Sequence, residues 1–223
     1  MQQPGEQPVQ QIPTVNDLIE EQSARRAFLD QVGVYFVRDI NDVEAERFAK
    51  SLLVIASHLK RLGGQQRITV YINSGGGSMG AGFAMMEMMY KIKRDFVIPV
   101  DTVVLGYAYS MGAIMAQAGD RRSMGFFSTM MLHSGQWTVV GEDQKIFADY
   151  QKLATTYQQK IGELFHRRTG THTPRWWTNF VYSGRDRFLS ATECLKLRLV
   201  DEVCEFDKCY ILPPDEGDKR KAM

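Results

Sequence analysis

"RITVYINSGGGSMGAGFAMMEMMYKIKR", residues 67–94, decides how this chain folds. The β-branched and aromatic run Arg67–Ile72 predicts a buried strand, the glycines of Asn73–Gly80 predict a tight turn, and Ala81–Arg94 predicts a helix. The same order recurs on both sides. Upstream, "VGVYFVRDI" (32–40) reads as a strand. A helix of about six turns follows, with Asn41 as its cap, Val43, Phe48, Leu52, Val54, Ile55 and Leu59 as apolar positions, and Gly63-Gly64 as its stop. Downstream, "FVIPVDTVVLG" (96–106) supplies strand, a helix opens at Ser110, and "STMMLHSG" (128–135) returns to strand. Strands alternating with helical crossovers predict an α/β fold with a mainly parallel sheet, whose functional loops lie at the carboxyl ends of the strands.

Beyond Gly141 the pattern changes. Ile146, Phe147, Tyr150, Leu153, Tyr157, Ile161, Leu164 and Phe165 recur at threes and fours, which predicts one long amphipathic helix ended by Gly170. Thr173-Pro174 then starts a short helix through Trp176-Trp177. At the other end, Gln- and Pro-rich residues 1–13 have little to bury and read as a flexible arm. A short helix over "LIEEQSARRAFLD" (18–30) follows the arm.

Composition excludes several partners. The 27 basic and 26 acidic residues leave a net charge of +1, so no overall field favours nucleic acid or an anionic membrane. No uncharged apolar run reaches the roughly 18 residues of a spanning helix, and no secretory leader pattern opens the chain. Cys194, Cys204 and Cys209 form no CxxC pair and no zinc-type cluster with histidine, so they predict a reducing compartment and no metal or other cofactor. A cytoplasmic protein is expected.

Chemistry concentrates at three points. The turn Gly75-Gly76-Gly77 lacks the Gly-Lys-Ser/Thr of a phosphate loop and the spacing of a dinucleotide fingerprint; it is either a plain tight turn or one half of an oxyanion hole. Ser110, between an apolar strand and Met111-Gly112-Ala113, is either an N-cap or a nucleophile, with the Met111 amide as the second oxyanion donor. A nucleophilic serine needs a base and a group that orients it. Of the four histidines, His58, His166 and His172 read as surface residues, whereas His133 ends a strand on the edge that carries Ser110 and the glycine turn. For the acid, Asp186 in "SGRDRFLSA" (183–191) is either an ion-paired surface residue or the orienting carboxylate; spacing alone does not select it.

Four motifs, in order, resemble the ClpP family of serine peptidases, the proteolytic subunits of Clp proteases. "YINSGGGSMGAGFAM" (71–85) is similar to that family's Asn-Ser-Pro-Gly-Gly-Ser turn, and "YSMGA" (109–113) to its Ala-Ser-Met-Gly-Ala nucleophile site. "MMLHSG" (130–135) is similar to its Met-Ile-His-Gln-Pro base site, and "RDRFLSATECLKLRLVDEV" (185–203) to its Arg-Asp-Arg-Phe-Leu-Ser-Ala segment. The resemblance implies Ser110 as nucleophile, His133 as base, Asp186 as orienting acid, and the amides of Gly77 and Met111 as the oxyanion hole. It also implies a substrate groove containing Ser78, Met79 and Gly135. The expected fold is an α/β spiral of the ClpP/crotonase type, spanning residues 28–206, with a protruding handle helix at about 143–168. An arm and short helix (1–27) precede this domain and a tail (207–223) follows it. The implied assembly is a pair of stacked heptameric rings, homomeric or mixed with a paralogous subunit, fed with unfolded polypeptides by an AAA+ Clp-type unfoldase.

The sequence also departs from that pattern, as a divergent paralogue does. Gly75 stands where the family has proline, which predicts a looser turn. Tyr107 and Tyr109 replace smaller or polar residues and are expected to add bulk beside the nucleophile, and Ser134-Gly135 replaces Gln-Pro. The arm lacks the family's hydrophobic gate segment, and Lys91 falls near an unfoldase-docking surface that is usually aromatic. Two other functions compete with the peptidase reading: an accessory ring subunit with an idle triad, and a crotonase-like enzyme acting on a thioester.

Overall fold

In the computed structural model, which describes residues 20, 22–24, 33–63, 66–135 and 144–210, the first two crossovers each begin at a helix closed by a side-chain cap. Asn41 accepts the Glu44 N–H at 2.9 Å and opens α1 (Asp42–Leu62), which ends at Gly63, where φ is +70°. Ser78 caps α2 (Met79–Phe96) by accepting the Ala81 N–H at 3.3 Å. Between these helices run β1 (Val34–Val37), β2 (Ile68–Ser74) and β3 (Val100–Tyr109), paired in parallel. α3 (Met111–Ala116) follows β3 directly. The sheet continues through β4 (Arg122–Gly125) to β7 (Glu202–Glu205), again in parallel, and closes with antiparallel β8 (Lys208–Tyr210). The last strand therefore lies beyond the expected boundary at residue 206.

On the edge away from β2, β3 serves two neighbours in turn, at the place where the site is built. Its first half pairs with β4, while Tyr107–Tyr109 pairs in parallel with β5 (Thr129–Leu132). The change occurs at Gly106, whose φ of +87° suits glycine. Ser128 pins the junction: its buried hydroxyl accepts the Gly106 N–H at 2.9 Å and donates to the Val104 carbonyl at 3.2 Å. β5 in turn pairs antiparallel with β6 (Arg187–Ser190), which leads into α6 (Ala191–Lys196) through a capping box between Ser190 and Glu193.

The core lies between the sheet and the inner faces of α1 and α2. Phe48, Leu52, Ile55 and Leu59 of α1 are buried, with Met85, Met89 and Ile92 of α2 packed beside them. Val43 and Val54, expected among the apolar positions of α1, are 66% and 57% exposed because they fall on its far side. Predicted strand residue Phe96 instead ends α2, and β3 starts only at Val100.

The long helix, α4 (Gln144–Thr169), would extend about 39 Å at the usual rise. Its C-terminal part is anchored: Ile161 and Phe165 are buried, Phe165 stacks on Trp177 of α5 (Pro174–Val181), and Gly162 brings the helices so close that a Cβ would meet Thr178 Oγ1 at 2.1 Å. Its N-terminal part is not covered. Ile146, Phe147, Tyr150 and Leu153 are 40–52% exposed, leaving an apolar stripe along this end of the helix.

The cysteines differ from expectation. Cys204 and Cys209 form a disulfide across the β7–β8 pair rather than remaining reduced, and only Cys194 is free among the described residues. Glu202 lies beside them, but its carboxylate already accepts from Ser123 Oγ at 2.5 Å and pairs with Arg121, so the group is built for structure rather than for a metal ion. Among the described residues, no helix is long and apolar enough to cross a membrane. The expected arm 1–13, the start of the domain at residue 28 and the tail beyond Tyr210 lie outside the described residues.

Candidate active site

Strand register brings the site residues together. Tyr109 pairs with Met131 across β3 and β5, and the Ser110 N–H donates to the Met131 carbonyl at 2.8 Å, so Ser110 and His133 leave neighbouring strand ends in the same direction. Leu132 pairs with Arg187 across β5 and β6; one step further along this antiparallel ladder, His133 faces Asp186. Thus each residue of the implied triad stands just outside a fixed pair.

Ser110 is not a capping serine. Its φ of +54° and ψ of −121° lie outside the ordinary regions for a side-chain-bearing residue, and its hydroxyl makes no cap bond to α3. The hydroxyl turns instead to His133 Nε2, 2.8 Å away. A strained strand-to-helix corner presenting its hydroxyl to an imidazole is the local geometry of a nucleophile elbow. On the far side of the ring, His133 Nδ1 lies 3.6 Å from Asp186 Oδ1, an ion-pair distance too long for a hydrogen bond. The Asp186 loop is tethered by the Gly184 N–H, which donates to Ser134 Oγ at 3.3 Å.

The glycine turn is pressed against this corner. A Cβ at Gly76 would meet Ser110 Cβ and the Tyr109 carbonyl at 2.8 Å, and one at Gly77 would meet the Ile40 carbonyl at 2.1 Å. Two bonds fix the turn: the Gly76 N–H donates to Ser74 Oγ at 3.1 Å and the Ser78 N–H to the Ile40 carbonyl at 2.8 Å. Neither uses the Gly77 amide. The Met111 amide is the first of α3 and has no carbonyl one turn back within the helix. Gly77, Met111 and Ser110 all border one pocket.

That pocket has a volume of about 510 Å³, and Ser78, Met79 and Gly135, expected in the groove, line it together with His133 and Ser134. Sequence reasoning missed its apolar wall, made by Ile114, Leu132, Tyr157, Val181 and Tyr182. Tyr157 comes from α4 and Val181 from α5, so the wall exists only once the two helices pack. Burial pushes the Tyr182 phenol up to about 12, so it enters the pocket as a neutral group.

Of the departures, Ser134-Gly135 lines the pocket and the others land elsewhere. Tyr107 and Tyr109 do not crowd Ser110: their rings lie 4.9 Å apart, Tyr109 OH bonds Thr129 Oγ1 at 2.9 Å, and its ring meets Phe188 edge-on. Alternation along β3 turns them away from the pocket. Tyr107 instead lines a surface groove with Phe36 and Tyr71, whose rings stack 5.0 Å apart. Lys91 lies on α2 and pairs with Asp95 at 2.5 Å. Gly75 has open space around it. Of the histidines expected at the surface, His172 stacks on Trp176 and its carbonyl bonds His166 Nδ1 at 2.6 Å.

Comparison with known proteins gives a consistent picture. The family model described as Clp protease matches residues 19–207. The chain is 32% identical over 169 residues to the ATP-dependent Clp protease proteolytic subunit 2 of Bacillus licheniformis, covering 74% of this chain and 82% of that one. It is 30% identical to the ATP-dependent Clp protease proteolytic subunit of Chlorella vulgaris, covering 90% of each, and 31% identical to the proteolytic subunit 2 of Thermobifida fusca, covering 82% and 85%.

Proposed function

Since the chain belongs to the Clp protease family, as a divergent ClpP-type peptidase subunit, we propose that it is a serine endopeptidase acting on unfolded polypeptides through Ser110, His133 and Asp186. The observation that carries this reading is the 2.8 Å approach of His133 Nε2 to Ser110 Oγ at a strained corner beside two amides. In the first step neutral His133 accepts the Ser110 proton as Oγ attacks the scissile carbonyl carbon. The amides of Gly77 and Met111 donate to the oxyanion, each such donor contributing roughly 3 kcal/mol in a dry site. Protonated His133, oriented by Asp186, then passes the proton to the leaving amine. Water repeats the sequence on the acyl-enzyme, taking the acyl group and restoring Ser110. Ser78, Met79 and Gly135 flank the substrate backbone, and the apolar wall receives a side chain.

The partners follow from the same reading. The uncovered stripe Ile146–Leu153 on the long helix suits ring-to-ring contact in a pair of stacked heptamers, homomeric or mixed with a paralogue. The aromatic groove of Phe36, Tyr71 and Tyr107 suits the contact with an AAA+ Clp-type unfoldase. Work in a cytoplasmic compartment belongs to the same proposal. The experiment is degradation of a permanently unfolded protein and a folded one, with and without the unfoldase and ATP. The proposal expects Ser110-dependent cleavage of the unfolded substrate alone and of both with unfoldase; loss of neither on Ser110→Ala would contradict it.

A second reading rests on Asp186, which is 60% exposed and makes no hydrogen bond to His133. In that reading the triad is idle and the chain serves as an accessory subunit in a mixed ring.

A further inference from the structure

The β7–β8 hairpin carries a feature that peptide hydrolysis does not need. Register places Cys204 directly opposite Cys209 and Glu205 opposite Lys208, so the chain reverses through Phe206-Asp207 alone. That turn is poorly specified by its sequence: Phe206 has a φ of +51°, a conformation in which Gly, Asn and Asp are the ordinary occupants. β8 has 3 residues and β7 as its single partner, too little pairing to hold itself. The Cys204–Cys209 bond supplies what turn and pairing lack.

The bond is also reachable. Cys209 is exposed and Cys204 half-buried, whereas Cys194 is fully buried and its thiol is pushed up to about 12, chiefly by that burial. The hairpin holds an exposed aromatic tip. Phe206, 86% exposed, meets Phe127 edge-on; Phe127, 80% exposed, packs on Phe126, whose N–H donates to the Cys204 carbonyl at 2.9 Å. β7 does not depend on the sulfur link, because Glu202, Val203 and Cys204 pair with Ser123, Met124 and Gly125 of β4.

We propose that Cys204 and Cys209 form a thiol–disulfide exchange site, served by a dithiol reductant of the thioredoxin class, whose redox state sets the arrangement of the Phe126-Phe127-Phe206 tip. One thiolate of the reductant attacks the exposed Cys209 sulfur, forming a mixed disulfide and releasing the Cys204 thiolate, which takes a proton. The second thiol of the reductant, losing its proton, attacks its own sulfur in the mixed disulfide and releases Cys209, which is protonated in turn. Two electrons and two protons pass to the protein, and the reductant leaves as its disulfide. β8 then separates from β7, and Phe206 leaves Phe127, while β7 stays in the sheet. A disulfide as the exchanging partner runs the steps backwards.

The test uses the full-length protein purified without reductant, alkylated natively with iodoacetamide before and after treatment with thioredoxin and its reducing system, and followed by amide exchange. Before reduction no adduct is expected on Cys204 or Cys209. After it, both carry one, Cys194 carries none, and the amides of Lys208–Tyr210 exchange at least about tenfold faster with those of the β4 core unchanged. The Cys204→Ser, Cys209→Ser double variant is expected to exchange like the reduced protein and to ignore the reductant. The proposal is overturned if both thiols alkylate in untreated protein even after glutathione disulfide, if the bond resists reduction until global unfolding, or if reduction leaves hairpin exchange unchanged. None of these readouts involves proteolysis, so the result is independent of the peptidase reading.

Discussion

Asp186 Oδ1 stands 3.6 Å from His133 Nδ1, while Nε2 of the same ring stands 2.8 Å from Ser110 Oγ. The imidazole is thus engaged with Ser110 and only loosely held by Asp186. An orienting carboxylate that is 60% exposed contributes less than a buried, hydrogen-bonded one. Asp186→Asn is therefore expected to lower kcat about 10²-fold with KM nearly unchanged, short of the roughly 10⁴-fold loss typical of a closed triad. Peptide-cleavage kinetics on assembled protein check this.

The glycine turn makes a paired prediction. At Gly77 a Cβ would meet the Ile40 carbonyl at 2.1 Å with φ at +145°, so Gly77→Ala displaces the turn and its amide. Loss of one oxyanion donor lowers kcat by about 10²–10³-fold. Gly75 has nothing within 4 Å of an added Cβ, so Gly75→Ala is expected to raise stability by about 0.4–1 kcal/mol and to keep activity. Thermal unfolding and turnover of both variants separate the two effects.

Tyr109 packs against Phe188 and bonds Thr129, away from the pocket. Tyr109→Phe is expected to cost about 0.5–1.5 kcal/mol of stability and to change turnover less than about twofold. A large change in turnover at unchanged stability would return Tyr109 to the site.

Arg122 is 4% exposed and is held by Asp201 through its Nε at 3.1 Å and an Nη at 2.5 Å, with Gln117 Oε1 on the other Nη at 2.8 Å. Burial alone would raise the Asp201 carboxyl, but hydrogen bonds and the charge of Arg122 hold it below the usual carboxylate range. With the folded value below the unfolded one, this stabilisation is present above the ordinary carboxylate range and is lost as pH falls through the folded value. Asp201→Asn is expected to cost roughly 2 kcal/mol at neutral pH, reduced from the fully buried case by the exposure of Asp201, and to flatten the acid limb of the stability profile. Denaturant midpoints from pH 7 down to about 3 measure both.

The parts of the fold carried by local signals were legible in the sequence. Asn41 and Thr173-Pro174 announced helix starts, the spacing Phe48-Leu52-Ile55-Leu59 announced a helix face, and Gly75–Gly77 announced a tight turn. β4 was not legible, because Arg122 and Ser123 look like surface residues until Asp201 and Glu202 meet them from nearly eighty positions away. The β7–β8 disulfide was missed for a related reason: Cys204 and Cys209 have no motif spacing, and only antiparallel register puts them face to face. In the site, His133 stood out by its strand end, but Asp186 became distinct from Arg-flanked surface acids only through the β5–β6 ladder. The pocket wall of Tyr157 and Val181 depends on the packing of α4 on α5.

Labelling with a fluorophosphonate probe, read by intact mass on wild type and Ser110→Ala in assembled rings, decides whether Ser110 is a nucleophile. A single adduct on wild type that is absent from Ser110→Ala, and whose rate falls on His133→Ala, is the predicted result. Intact rings that take up no probe, or that label equally without Ser110, would contradict a nucleophile at that corner.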